Sequence, residues 1–254
     1  MVLQYVLIGV LLLAAAPYLL LPLLILASMA MSVEPQFRET PLELLPASTS
    51  EFIGKEIPRI EALGFRLCAI LSCPTAGSNV KNYLAMLSHD SAKVLAMVTV
   101  IVGVVNDQDA KHAYYVEFMS AYANDESVCT LNSSELPAFP KMAGAVKLQV
   151  PQVSDVGKLF SLHMNAIAEL GQGKTPNFPE VHDWGQFVCD ELRKQFEKVA
   201  NKTHVIVLDE PSQKYKPTLV GAYLMTWGQL WPVKPIREAL MRNRARLLET
   251  KYVR

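Results

Sequence analysis

The side chains whose types would support catalysis or metal binding are scattered along this chain. Among five histidines, His163 falls on the apolar face of a predicted helix that ends at Leu170. A general base or metal ligand at His163 would need a nearby carboxylate, such as Glu180 or Asp183. The alternative is a core histidine whose ring nitrogens are hydrogen-bonded inside the fold. His163 is therefore the candidate site residue for a hydrolase or metal enzyme.

Other motifs predict no cofactor and no metal. Residues 171–175 (GQGKT) end like a phosphate-binding loop, but the pattern needs a glycine where Ala168 stands and a strand before it. We therefore interpret this stretch as a helix end and a turn. The four cysteines form no CxxC pair and have no histidine at ligand spacing. Neither an HExxH pattern nor a nucleophile elbow occurs.

Charge is balanced over the whole chain but not along it. With 24 basic and 24 acidic residues, no global field predicts a nucleic-acid partner. Basic residues gather after Lys234, directly behind an aromatic-rich apolar stretch. Such a segment can lie on an anionic membrane surface, or it can be a core helix followed by a solvated one. The candidate membrane-surface contacts are Trp227, Trp231, Arg237, Arg242, Arg244 and Arg246.

The first 33 residues carry no charged side chain, and their apolar run exceeds the roughly 20 residues that a membrane-spanning helix needs. A cleaved signal is the alternative, since residues 28–30 (SMA) resemble a cleavage site. The run is too long for a signal core, however, and no basic residue precedes it. Small residues in a membrane helix allow a neighbouring helix to approach closely. The alternative is that they are only apolar filler. Prolines inside the helix leave backbone carbonyls without their usual N–H donor, and a neighbouring helix can supply one. The candidate helix-packing residues are Gly9, Ala14, Ala15, Ala16, Pro17 and Pro22.

The remaining sequence predicts an α+β fold, in which the N-terminal transmembrane helix is followed by an antiparallel β-meander packed by helices. Four segments divide the chain: a transmembrane anchor (1–33), a linker with three prolines (34–47), a soluble α+β domain (48–210), and hydrophobic then basic C-terminal helices (211–254). Short turns between the strands indicate antiparallel neighbours.

Individual elements follow from periodicity and from helix-start signals. Ser48 and Glu51 indicate a capping box that opens the first soluble helix. Five strands are predicted between residues 65 and 131, and a β-branched run over 94–105 is the central one. A sixth strand is predicted at 146–150 and a seventh at 204–208. Further helices are predicted over 154–170, 179–200, 219–231 and 234–251.

Several short motifs resemble uncharacterised bacterial membrane-anchored proteins. These motifs are residues 60–65 (IEALGF), residues 128–133 (VCTLNS), Leu162-His163, and residues 221–223 (GAY) with Trp227 and Trp231-Pro232. Those proteins carry a helix that ends in Leu-Gly-Phe, a β-meander and a helical histidine. The resemblance implies a bacterial, membrane-anchored protein, and it supplies no function.

Three functions remain open at this point. The first is a non-catalytic accessory or scaffold subunit that docks to a larger membrane protein complex, with membrane lipid and an integral membrane protein as partners. The second is a membrane-anchored domain that binds a lipid or small ligand, because a curved meander packed by a helix can enclose an apolar cavity. The third is the unrecognised hydrolase or metal enzyme. Arg38 and Lys55 follow the anchor, so the domain is expected in the cytoplasm.

Overall fold

A computed structural model describes residues 2–77, 79–105 and 108–253. Helices make up 46% and strands 28% of the chain, which confirms the predicted α+β class. The helices are α1 (Val2–Ser28), α2 (Ala47–Glu61), α3 (Val156–Leu170), α4 (Trp184–Thr203), α5 (Leu219–Trp227) and α6 (Val233–Tyr252). The strands are β1 (Met31–Ser32), β2 (Arg38–Glu39), β3 (Arg66–Gly77), β4 (Val80–His89), β5 (Val94–Val105), β6 (Gln108–Ala121), β7 (Ser127–Leu131), β8 (Ala145–Gln149), β9 (Ile206–Asp209) and β10 (Lys214–Pro217).

One sheet contains all the described strands, and antiparallel pairing dominates it, as predicted. Strands β3 to β7 form the meander, in which each strand pairs with the next one along the chain. Short connections force this arrangement, because a parallel pair needs a long crossover. The longer connection after β7 permits the one parallel pair among the described strands, β7 with β8. The apolar run predicted as a central strand is β5, between β4 and β6.

Short strands extend the sheet beyond β3, and the sequence patterns did not predict β1, β2 or β10. β1 lies between β3 and β10, where Met31 stands opposite both Gly77 and Tyr215. β2 pairs with β3, and β10 pairs with β9. The chain therefore enters the sheet within three residues of the end of α1. The predicted linker contains β2 and a 3-10 turn at Leu42–Leu44, while the division into domains stays a prediction.

Helices cover both faces of the sheet. On one face α2 and α3 pack fully buried side chains such as Ile53, Ile60 and Leu159 against the meander. On the other face α4 places Val188 over the β3–β4 pair. A smaller core lies where α1 enters the fold, formed by Met31, Val199, Val205, Ile206 and Tyr215. This last core joins the start of the sheet to its C-terminal strands.

The start of α2 differs from the prediction. The helix begins at Ala47 behind Pro46, and no side chain caps it, so the capping box predicted from Ser48 and Glu51 is wrong. A proline just before the first turn supplies a favourable φ without a donor that would need a partner.

Aspartates, and not the predicted residues, open α3 and α4. Asp155 accepts a hydrogen bond from the backbone N–H of Lys158 at 2.8 Å, one residue after Ser154, where the helix was predicted to begin. Asp183 caps α4 in the same way, so this helix begins at Trp184 and not near residue 179. A carboxylate at this position also complements the positive end of the helix dipole.

Candidate functional site

His163 lies fully buried between α3 and the sheet, and both of its ring nitrogens have partners. Ser120 Oγ is 3.0 Å from Nε2, and Thr130 Oγ1 is 3.0 Å from Nδ1. Burial lowers the pKa of His163 to about 3. Neither nitrogen is free to bind a metal or to take a proton from a substrate. The arrangement is that of a neutral core histidine which ties α3 to β6 and β7.

The described part of the chain shows no contact between His163 and the two carboxylates proposed as its partners. Asp183 accepts the capping hydrogen bond of α4, and Glu180 precedes that helix in an irregular segment. Within residues 2–77, 79–105 and 108–253, no group of three His, Cys, Asp or Glu side chains could hold a metal ion. Catalysis at His163 therefore stays a prediction that no described contact favours.

The glycine-rich stretch after α3 is a helix end, as the sequence indicates. Gly171 is the C-cap of α3, and its N–H donates to the carbonyl of Ile167. A Cβ atom at Gly171 would lie 2.2 Å from Tyr122 Oη, so the close approach of that hydroxyl requires glycine here. Packing against a neighbour, and not phosphate binding, accounts for this residue.

The interface between the sheet and its helices is filled by side chains. Phe118, Leu159 and Leu162 are fully buried in it, together with Ile53 and Ile60. Two clefts of about 410 and 540 Å³ are open depressions at the surface, one beside Tyr83 and the other beside α6. A ligand cavity inside the meander stays a prediction without a contact that favours it.

The apolar helix α1 divides into a free half and a packed half. Its 27 residues extend about 40 Å, and residues 4–28 are long and apolar enough to cross a membrane by length and composition. Large side chains near its start are exposed, as at Val10 (60%) and Leu13 (81%). From Tyr18 onward one side is covered, and Pro22 is buried. Among the described residues, the end of α1 next to the domain is thus the part that the rest of the chain holds.

The covering element is α5, which packs antiparallel to the packed half of α1. Pairing of Met31 in β1 with Tyr215 in β10 brings the end of α1 beside the start of α5. At its other end, α5 reaches Tyr18 through Trp227. The two helices therefore run side by side over about 15 Å, which is the rise of ten helical residues.

Two hydrogen bonds stabilise this packing. The indole N–H of Trp227 donates to the backbone carbonyl of Tyr18 at 2.9 Å. In an uninterrupted helix that carbonyl would accept from the N–H four residues later, but residue 22 is proline and has none. Trp227 thus satisfies the carbonyl that Pro22 frees. In return, the hydroxyl of Tyr18 donates to the carbonyl of Trp231.

The opposite side of α5 is held against the domain by a glycine. A Cβ atom at Gly221 would lie 1.8 Å from the carbonyl oxygen of Val205, which precedes β9. The N-cap Thr218 accepts from the N–H of Gly221 and donates to the carbonyl of His204. These contacts bring α5 as close to the domain as the backbone allows. We call α5 and the packed half of α1 the junction.

After the junction the chain turns through residues 228–232, which we call the elbow, and continues as α6. Arg237 fixes the elbow by donating to the carbonyls of Gly228 (3.4 Å) and Pro137 (3.0 Å). At its far end α6 is tied to α3, where Asn165 donates to the carbonyl of Tyr252 at 2.7 Å. Both ends of α6 are therefore anchored to the folded domain.

The structure brings together only some of the residues predicted to pack or to contact a membrane. Pro22 and Trp227 meet at the Tyr18 carbonyl, and Trp231 meets Tyr18 itself. Gly9 and Ala15 lie on the free half of α1, with Ala16 and Pro17 at its boundary. Ala14 lies in α1, outside the described side chains. On α6, Arg242, Arg244 and Arg246 are exposed, whereas Arg237 is half-buried.

Sequence reasoning missed Tyr18, which is the centre of the junction. A proline four residues later was a usable signal, because it identifies which carbonyl lacks its helical donor. Comparisons of the chain with models of protein families, with curated proteins and with solved structures give no match.

Proposed function

We propose that this protein is a non-catalytic, single-pass membrane-anchored accessory subunit that docks to an integral membrane protein. The observation that carries the proposal is the contact of Trp227 with the Tyr18 carbonyl freed by Pro22. This contact, with the close packing of α5, makes α1 a continuation of the folded domain. A loose tether would only retain a domain at a membrane, whereas a rigid joint holds it in one orientation, which a scaffold requires. Removal of α1 as a signal would also uncover the face of α5.

The length of α1 favours a particular depth in the bilayer. About 20 residues from Val2 span the roughly 30 Å of hydrocarbon. In this register Tyr18 and the elbow lie about 5 Å inside the domain-side edge of the hydrocarbon, next to the interface where tyrosine and tryptophan are enriched. Lys234 and Arg237 follow the elbow, and their long side chains can reach the headgroups from this depth, which avoids the cost of a charge in the hydrocarbon. Trp231, which is 74% exposed, then contacts the interface.

The same register supports a cytoplasmic domain. The basic residues nearest the membrane are Lys234, Arg237 and Arg242 after the elbow, in addition to Arg38. Basic residues near the ends of a span are retained in the cytoplasm. Protection of the domain from added protease in sealed, right-side-out vesicles, and its digestion in inverted ones, is the expected result.

The docking face for the integral membrane partner lies on the free half of α1. Gly9 and Ala16 are seven residues apart and share one side of the helix, and Ala15 adjoins it. No described side chain lies within 4 Å of a Cβ atom built at Gly9. Small residues allow helix backbones to approach closely in a membrane, where dispersion and hydrogen bonds drive association.

Substitution of this face tests the proposal. We expect the double variant Ala15→Leu/Ala16→Leu to remain in the alkali-washed membrane and to lose its membrane protein partner on purification. Ala27→Leu is the matched control, because Ala27 is an exposed alanine of the same helix and lies beside the domain. Unchanged co-purification of the double variant would refute docking through this face. Release of the wild-type protein by alkali would refute the anchor itself.

A further inference from the structure

A second apolar surface lies on α6, separate from the junction. Ile236, Leu240 and Leu247 are exposed by 55%, 63% and 71%. Their spacings of four and seven residues place them in one row along the helix. The opposite side of α6 carries Ala245 and Tyr252, which are buried against the domain. The apolar row thus faces away from the protein and has no cover from the described residues.

Basic side chains border this row on both sides. Arg244 and Arg246 flank it on the helix surface, and both are exposed. Neither has a carboxylate within 4.0 Å among the described residues, whereas Lys234 and Arg242 share Glu238 at 4.0 and 3.9 Å. The helix has six basic and two acidic residues, a net charge of +4. An apolar row between unpaired arginines is typical of a helix that lies in a membrane interface.

The path of α6 brings this row to the level of the membrane surface. The helix begins at the elbow beside Tyr18, and it packs on α3 and on β8. β8 is seven strands away from β10 in the sheet, a distance of about 34 Å at ordinary strand spacing. The 20 residues of α6 extend about 30 Å. The helix therefore crosses from the α1 side of the protein to its β8 side, and does not continue along α1 and α5.

We infer that the outer face of α6 is a docking surface for an anionic lipid bilayer. Ile236, Leu240 and Leu247 enter the boundary between headgroups and acyl chains, and Arg244 and Arg246 contact lipid phosphates. The inference rests on the proposed function, since α1 in the bilayer is what brings the elbow to the membrane. Two observations favour an anionic bilayer over a soluble partner. The elbow joins α6 directly to the membrane-anchored junction, and the net charge of α6 is positive.

Hydrogen exchange of the full chain in lipid nanodiscs tests this inference. One set of nanodiscs contains phosphatidylcholine alone, and the other contains an admixture of phosphatidylglycerol. We expect amides of α6 to exchange more slowly with the anionic lipid, by roughly fivefold for each arginine engaged. Arg244→Gln/Arg246→Gln abolishes the difference. The control Lys55→Gln/Arg66→Gln keeps it, because both residues are exposed and Arg66 lies at the end of β3 remote from α1. Leu240→Ser/Leu247→Ser weakens protection in both nanodiscs.

The same data separate this inference from the anchor. If α1 is protected in both lipids while α6 exchanges equally in both, lipid docking by α6 is overturned and the anchor stands. If α6 responds only to a co-purified membrane protein, the row is a protein interface, and the inference fails as well. If α1 itself exchanges freely, both the anchor and the docking surface are refuted.

Discussion

The contact between Trp227 and the carbonyl freed by Pro22 gives the sharpest prediction. Trp227→Phe removes the indole donor and keeps an aromatic ring that can pack on Tyr223, whose centroid is 5.2 Å away. The Tyr18 carbonyl then loses its donor. Removing one partner of a hydrogen bond costs about 1–3 kcal/mol when the other is left buried, and about 0.6–2 kcal/mol between membrane helices. Because Trp227 is 44% exposed, we expect the free energy of local opening of α5 to fall by about 1 kcal/mol.

A double-mutant cycle isolates this contribution. In Pro22→Ala the new N–H can donate to the Tyr18 carbonyl within the helix, so Trp227 is no longer needed as its donor. Trp227→Phe should therefore speed amide exchange of α5 about fivefold in the wild-type background, which corresponds to about 1 kcal/mol of local opening free energy. In the Pro22→Ala background the same change should have almost no effect. Trp184→Phe on α4 is the matched control.

Additive effects of Trp227→Phe and Pro22→Ala on amide exchange would contradict this role of the indole. If Trp227→Phe speeds exchange by the same factor in both backgrounds, the indole does not act through the carbonyl that Pro22 frees. Apolar packing alone would then hold the junction, and the hydrogen bond of Trp227 would not contribute to its rigidity.

Two further predictions concern residues whose role is structural. Gly221→Ala forces a Cβ atom to within 1.8 Å of the Val205 carbonyl oxygen, so α5 must shift, and overpacking of about 1–3 kcal/mol should lower Tm by several degrees. Gly9→Ala should leave Tm unchanged, because no described atom outside the adjoining helix backbone lies within 4 Å of its Cβ position. Equal effects of the two changes would contradict the packing described for α5. The pKa of His163 is depressed to about 3 in the folded protein. Between about pH 3 and 6.5 the unfolded chain therefore binds more protons at this residue than the folded chain does, so the free energy of unfolding falls as the pH is lowered. His163→Gln should remove up to about 1.4 kcal/mol per pH unit of this dependence in urea unfolding, whereas an unaltered pH profile would show that His163 does not remain neutral in the folded protein.

The meander was predictable because most of its strands are long enough to show either an alternating pattern or a continuous apolar run. β5 has the predicted bounds, since its apolar run, rich in β-branched residues, is nearly continuous and turns flank it. β1, β2 and β10 have two to four residues, and no period can be read from so few. Their positions depend on pairing between residues far apart in the sequence, such as Met31 with Tyr215.

The candidate site was predictable in its parts but not in its arrangement. Pro22, Trp227 and Trp231 were each identified from residue type, as a break in an apolar helix and as interfacial aromatic residues. That Trp227 meets the carbonyl four residues before Pro22 depends on the path of β10 and α5, which local patterns do not contain. The same holds for His163, whose apolar position was clear, whereas its partners Ser120 and Thr130 lie on β6 and β7, 43 and 33 residues earlier in the chain.

The central claim is that α1 stays attached and anchors the domain in a membrane. The most direct measurement is the intact mass of the protein recovered from alkali-washed membranes of the cells that produce it. We expect a membrane-retained chain whose mass shows that it still contains the residues of α1 (Val2–Ser28). A soluble product shortened by cleavage near Ala30 would contradict it, because the junction would then be absent from the mature protein.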